Sequence, residues 1–158
     1  MADGVHFELE DHTVEVINAL DSAIEQYLLE ASFEIESQAA RNTRVSTGKL
    51  KGSWTSEVDA EAATATVGSP EENAVWEELG TGEYAAEGNG RKGGWYIHES
   101  MLDEKAKSKM KKVIGKNGEV FYFTKGKRPT HALQKAFDSK KEILKKHAGE
   151  VLSREMGD

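Results

Sequence analysis

The chain has no cysteine, and only two prolines, Pro70 and Pro129, among its 158 residues. Without cysteine there is neither a disulfide framework nor thiol chemistry, which fits a reducing compartment. No apolar run approaches the roughly 20 residues that a membrane-spanning helix needs. The opening Met1-Ala2-Asp3-Gly4 is acidic and carries no apolar signal segment. The expectation is a protein made in the cytoplasm. Recognisable chemistry is scarce too. The five histidines, His6, His12, His98, His131 and His147, are scattered and show no metal-ligand spacing. Gly48-Lys49 resembles the end of a phosphate loop, but the earlier glycine is missing and Leu50 stands where Ser or Thr is required. Gly88-Asn89-Gly90-Arg91-Lys92-Gly93 does not fit the dinucleotide fingerprint either. The reading is therefore no catalytic residue, no cofactor, no metal, and not an enzyme.

Positive charge is absent from one end. Residues 1–40 hold ten Asp and Glu but no Lys or Arg, whereas residues 91–147 hold 16 Lys and Arg against six Asp and Glu. The overall net charge of −7 conceals this asymmetry. Two readings stand: the halves neutralise each other inside one subunit, or an acidic patch on one copy meets a basic patch on the next. With 37% apolar and 31% charged residues, the chain can bury one modest core and keeps a large polar surface. Its length suits a single domain, 1–158.

Val5-His6-Phe7-Glu8-Leu9-Glu10 alternates apolar and polar side chains, which suits a short strand or an extended arm within 1–12. Val14, Ile17, Leu20, Ile24, Leu28, Ala31, Ile35 and Ala39 then recur at steps of three and four, predicting a helix over 13–41, roughly 40 Å long at 1.5 Å per residue. The stretch Val45-Ser46-Thr47-Gly48-Lys49-Leu50-Lys51-Gly52-Ser53-Trp54 is a turn feeding a strand, with Leu50, Trp54 and Val58 as apolar anchors. Residues 52–58 and 63–68 read as a hairpin, and Pro70 opens a short turn of helix before the apolar group Ala74, Val75, Trp76 and Leu79. The glycine-rich 80–94 segment reads as a mobile loop. Trp95-Tyr96-Ile97-His98 and Val120-Phe121-Tyr122-Phe123-Thr124 read as strands, and Asn117-Gly118 is a turn signal. The charged lobe 99–118 reads as a helical excursion or a disordered insertion. A helix over 130–153, capped by Thr130, carries Leu133, Phe137, Leu144, Ala148 and Val151, with Ala136 and Leu152 beside them. The fold expected is α+β: a small antiparallel sheet within 52–125, packed by the long N-terminal helix and the C-terminal helix, with a long glycine-rich and basic insertion.

Two surface features bear on function. Glu77-Glu78 is a carboxylate pair, but sequence neighbours on a helix do not face each other, so an acid/base role in a hydrolase lacks a second placed acid. Lysines from 105 to 128, flanked by Trp95, Tyr96, Phe121, Tyr122 and Phe123, leave open a nucleic-acid-binding reading for the basic 105–146 region. The alternation of Phe121 and Phe123 against Tyr122 fits sheet burial better.

Four motifs in order resemble the tail-completion or minor capsid proteins of long-tailed bacteriophages, the gene-product-ten-like head–tail joining family. They are Val45-Ser46-Thr47-Gly48-Lys49-Leu50-Lys51-Gly52-Ser53; Ala65-Thr66-Val67-Gly68; Asn73-Ala74-Val75-Trp76-Glu77-Glu78-Leu79-Gly80-Thr81; and Arg128-Pro129-Thr130-His131-Ala132-Leu133-Gln134-Lys135-Ala136-Phe137. The carried-over residues are Thr47, Gly48, Leu50, Ser53, Gly68, Trp76, Glu77, Gly80, Thr81, Pro129, Ala136 and Phe137. Ser46 stands in place of the family's aspartate and Asn73 in place of its aromatic residue. The resemblance implies a non-enzymatic virion protein of the neck or tail. It implies a ring, a hexamer, that contacts connector and tail-tube proteins and lets double-stranded DNA pass. A channel for DNA has reason to be acidic, so that phosphates do not adhere; acidic residues of the first helix or of the 71–78 segment, Glu71, Glu72, Glu77 and Glu78, are the expected channel-facing residues. Gly82, Gly88, Gly90, Arg91 and Lys92 are the expected partner loop, free to order on contact.

Overall fold

The computed structural model describes residues 12–44 and 48–156. The arm at 5–10 and the turn residues 45–47, Thr47 among them, lie outside the described residues. The architecture is α+β, built from two long helices and two small antiparallel sheets. Helix α1 (Thr13–Asn42) runs antiparallel to α4 (Ala132–Met156), as the facing pairs Tyr27 with His147 and Asn42 with Ala132 show. The apolar stripe predicted for α1 is the face it buries: Ala31 and Ala39 are buried, and Leu20, Ile24, Leu28 and Ile35 half-buried.

The hairpin of β1 (Thr55–Asp59) and β2 (Thr64–Gly68) lies on α1, with Ser56 and Val58 paired to Val67 and Ala65 on its half-buried face. Ser56 Oγ donates to Glu36 Oε2 of α1 at 2.8 Å. Helix α2 (Glu72–Leu79) follows, then β3 (Trp95–His98), the short α3 (Glu104–Lys107), β4 (Lys111–Ile114) and β5 (Val120–Thr124), the last three strands ordered β3-β5-β4. The single sheet expected from the sequence is thus two sheets, and the long helices pack on each other instead of covering one common face. The charged 99–118 lobe contains a strand, β4. The Asn117-Gly118 turn reverses it onto β5, pairing Val113 with Phe121 and Ile114 with Val120. Tyr96 sits over Phe123 and His98 over Phe121, cross-strand ring pairs with centroids 5.2 and 5.4 Å apart.

The core is small and alanine-rich. Ala39, Trp54, Ala132 and Ala136 form its centre, flanked by Ile35, Ala40 and Leu133. Alanines on both long helices let the backbones approach, and Trp54 fills the space at their junction. Its indole N–H donates to Thr43 Oγ1 at 2.8 Å, and the Thr43 hydroxyl donates at 2.7 Å to the Ala39 carbonyl, which also accepts from Thr43 N at 3.0 Å. The α4 face in the core is set by Ala132, Ala136 and Val151; Phe137, expected inside, is 49% exposed.

Charge neutralisation between the halves is realised within the subunit along the α1–α4 seam. Lys140 Nζ lies 2.5 Å from Glu34 Oε1, and His147 lies 4.0 Å from Glu30. The hydrogen bond from Lys140 holds the Glu34 carboxyl below its ordinary value near 4.5, outweighing the partial burial that pushes it up. A depressed folded-state pKa contributes stability above the unfolded value and loses it as pH falls through the folded one. Lys140→Met is therefore expected to cost about 0.5 kcal/mol at pH 7, because Glu34 is nearly half exposed, and almost nothing at pH 3. Urea melts at the two pH values check this.

Candidate functional site

The third and fourth motif segments meet where α2 packs against the chain leading into α4. Glu77 is only 7% exposed although it is charged. Its carboxylate accepts hydrogen bonds from Lys127 Nζ and, at 2.9 Å, from Thr130 Oγ1. Its backbone carbonyl accepts from Thr130 N at 2.6 Å. Burying a carboxylate is tolerated only with this kind of pairing.

Glu78 does a different job one residue on. Its two carboxylate oxygens accept from the backbone N–H groups of Leu133 and Gln134, both at 2.9 Å. Those are first-turn donors of α4 that no intrahelical carbonyl can reach, and a negative charge there also suits the helix dipole. The cap expected from Thr130 is thus supplied by another helix, because the Thr130 hydroxyl is committed to Glu77. His131, just before the helix, takes a left-handed φ of 53°. The pair of acids that looked like neighbours without a shared face is a two-pronged clamp, each prong holding a different part of the 127–134 segment.

Gly80 and Thr81 close the clamp. Thr81 N donates to the Lys127 carbonyl at 2.9 Å, and Lys127 N donates back to Thr81 Oγ1 at 3.0 Å. Gly80 has φ +73°, and a Cβ there would stand 2.8 Å from Pro129 Cδ. Gly82, at φ +63°, would collide with the Lys125 carbonyl and the Trp95 ring. These glycines are thus explained by backbone approach. The mobile loop expected over 80–94 is, at its start, a ladder onto 125–127. Gly90 packs against Gly82 and Ala85, while Gly88 lies in open space and Arg91 and Lys92 are exposed. The Arg91 guanidinium lies 5.8 Å from the Trp95 ring centre.

The other motif residues are placed as follows. Gly48 and Gly52 close the central turn by a backbone hydrogen bond of 3.1 Å; Leu50 is buried; Ser53 Oγ lies 2.6 Å from Ser69 Oγ, tying that turn to the end of the hairpin just past Gly68. Glu71 pairs with Lys49 at 2.8 Å and Glu72 is exposed. So of the four acids expected to face a channel, Glu77 and Glu78 are engaged within the subunit and Glu72 is on the surface. Trp76 is 54% exposed, with Val75 and Leu79 exposed beside it. Ala136 is buried, whereas Phe137 lines an open groove with Ile35, Ala65, Val67, Leu79 and Leu133, about 460 Å³ in volume.

No group of metal-ligating side chains occurs among the described residues, and no described helix is long and apolar enough to cross a membrane. Residues 8–85 match the family HK97-gp10_like, described as "Bacteriophage HK97-gp10, putative tail-component". That segment is similar to the HK97-gp10-like family. The match takes in α1, the hairpin, α2 and the Gly80-Thr81 elements of the clamp; the second sheet and α4 lie beyond it. No curated protein and no solved structure matches the chain. The family is one of phage tail components, which is a structural role.

Proposed function

We propose that the protein is a structural subunit of the phage neck or head–tail interface, acting in tail completion or head–tail joining. Copies assemble as a ring, a hexamer, around the DNA channel between connector and tail tube. The observation that carries this reading is the inverted distribution of apolar side chains. The interior is mostly alanine, while Val14, Ile17, Phe33, Val75, Trp76, Phe137 and Ile143 are on the surface. Large exposed apolar groups on a small polar subunit mark contact with other chains. The clamp fits the same role: it fixes α2 rigidly against α4, so that Val75, Trp76 and Leu79 are presented from a defined position. Glu72 and the acidic N-terminal half of α1 are the groups offered to the lumen.

A second reading has its own support. Arg44, Lys105 and Lys109 line a pocket beside Trp95, together with Asp103 and the Lys127–Glu77 pair, and Lys111 and Lys112 are exposed on β4. This surface would take a phosphate backbone. However, Lys140, in the C-terminal part of the basic region, is turned to α1. DNA titration separates the two. A structural subunit self-associates with little dependence on salt and has no measurable affinity for DNA. Binding that weakens by tenfold or more between roughly 50 and 200 mM salt would favour the second reading.

A further inference from the structure

The groove beside Phe137 has the dimensions and chemistry of a strand site. It runs between β2 and α4 over the α1 surface, lined at one end by Ile35, Ala65, Val67, Leu79 and Phe137, and it continues past Tyr27, Leu28, Ala31 and Leu144. The sheet beside it has two strands, so β2 has a free edge among the described residues, and it is β2 side chains that line the groove. An unpaired strand edge is a template for another strand. Lys141 and Lys145 of α4 stand along its wall. It therefore calls for an extended segment with alternate apolar side chains and acidic residues between them.

The chain itself contains one. Val5, Phe7 and Leu9 fall on one face of an extended 5–10 segment, with His6, Glu8 and Glu10 on the other and Asp11 following. The Phe137 end of the groove in the same copy is out of its reach. Counting along the antiparallel pair from Tyr27 and His147, α4 ends opposite Asn18, so the start of α1 extends beyond it, with Val14 70% exposed. Five residues of fully extended chain span at most roughly 17 Å at about 3.4 Å per residue, while Phe137, opposite about residue 37 of α1, is roughly 38 Å along the helix from residue 12.

We propose that residues 5–10 of one copy add as a third strand along the free edge of β2 in the next copy. This places Val5, Phe7 and Leu9 over Ile35, Val67 and Phe137, and Glu8 and Glu10 near Lys141 and Lys145. The contact joins two different surfaces, so it is heterologous and repeats head to tail. It rests on the reading that the protein assembles, and it specifies the joint.

The absence of cysteine makes a clean test possible. Phe7→Cys and Phe137→Cys are made singly, mixed, and treated with a short bis-maleimide. The expected product is a covalent heterodimer, and the double variant gives a ladder of multimers. An internally cross-linked monomer, or no cross-link, overturns the proposal. In parallel, the chain lacking residues 1–11 is compared by light scattering, with its thermal melt recorded to show that the body is folded. Self-association should require a roughly tenfold or greater rise in concentration, as loss of three buried apolar side chains implies. Undiminished association of the shortened chain removes this joint and leaves the assembly reading standing. A full-length chain that stays monomeric, alone and with connector or tail-tube protein, removes both.

Discussion

Trp54→Ala is expected to lower stability by about 3–5 kcal/mol, the cost of deleting a buried indole that the surroundings cannot fill. Trp54 is only 8% exposed and stands at the junction of Ala39, Ala132 and Ala136. The alanines cannot collapse into the gap, and only Ile35 and Leu133 at its flank have side chains able to shift, so most of the cavity term is kept. The change also removes the indole donor from Thr43 Oγ1, although the Thr43 hydroxyl retains the Ala39 carbonyl. A chain of this size typically has about 5–15 kcal/mol of stability in total, so the variant should lie near the edge of folding. The melting temperature should fall by on the order of 10 °C. Trp54→Phe keeps most of the volume and loses the hydrogen bond; about 1–2 kcal/mol is expected. Thermal and urea melts followed by far-ultraviolet circular dichroism give both values. Equal effects of the two variants would mean that Trp54 acts through its hydrogen bond and not through packing.

Glu77→Ala should cost about 2–3 kcal/mol. The change strips a buried hydroxyl, Thr130 Oγ1, of its acceptor and leaves Lys127 without its carboxylate. The figure falls below that for a fully buried pair because the Lys127 side chain is half exposed and can turn to water. Glu77→Gln retains an acceptor for Thr130 and should cost about 1 kcal/mol. Glu78→Ala should also cost about 1 kcal/mol, the ordinary loss of a helix cap. The comparison separates two roles for this pair. A carboxylate that only faces a DNA channel could be neutralised with no change in the melt, so an unchanged melt for Glu77→Ala would contradict the clamp.

The helices were legible in the sequence because their apolar residues recur at helical spacing, and α1 buries the stripe that the spacing picks out. Val14 and Ile17 belong to that stripe yet are exposed, since periodicity gives the face of a helix and not the length of its partner. Strand β4 was hidden by Lys111 and Lys112, whose charges mask a strand that is mostly exposed. Its signal was Asn117-Gly118, a hairpin turn that needs a strand on each side. The division into two sheets depends on which strands pair over long separations, and alternation does not carry that information. The clamp was legible only in part. Glu77, Gly80, Thr81 and Pro129 stood out through family resemblance, but their partnership spans about fifty residues of sequence. One feature could have pointed to it, an acid beside apolar residues in α2; the start of α4 at Ala132, two residues past the Thr130 expected to cap it, is seen only in the structure. The glycines of 80–94 suggested looseness, whereas Gly80 and Gly82 are glycines because another backbone passes too close for a Cβ.

In the proposed role, a rigid, thinly cored subunit carries its large apolar side chains outward in order to assemble. The mass of the purified protein in solution, measured by light scattering alone and then with connector or tail-tube protein, tests this most directly. The predicted result is a discrete mass several times that of the 17.4 kDa chain, reached alone or on adding the partner, and little changed by salt. A strict 17.4 kDa monomer under all these conditions would contradict it, leaving the exposed apolar face without the role assigned to it.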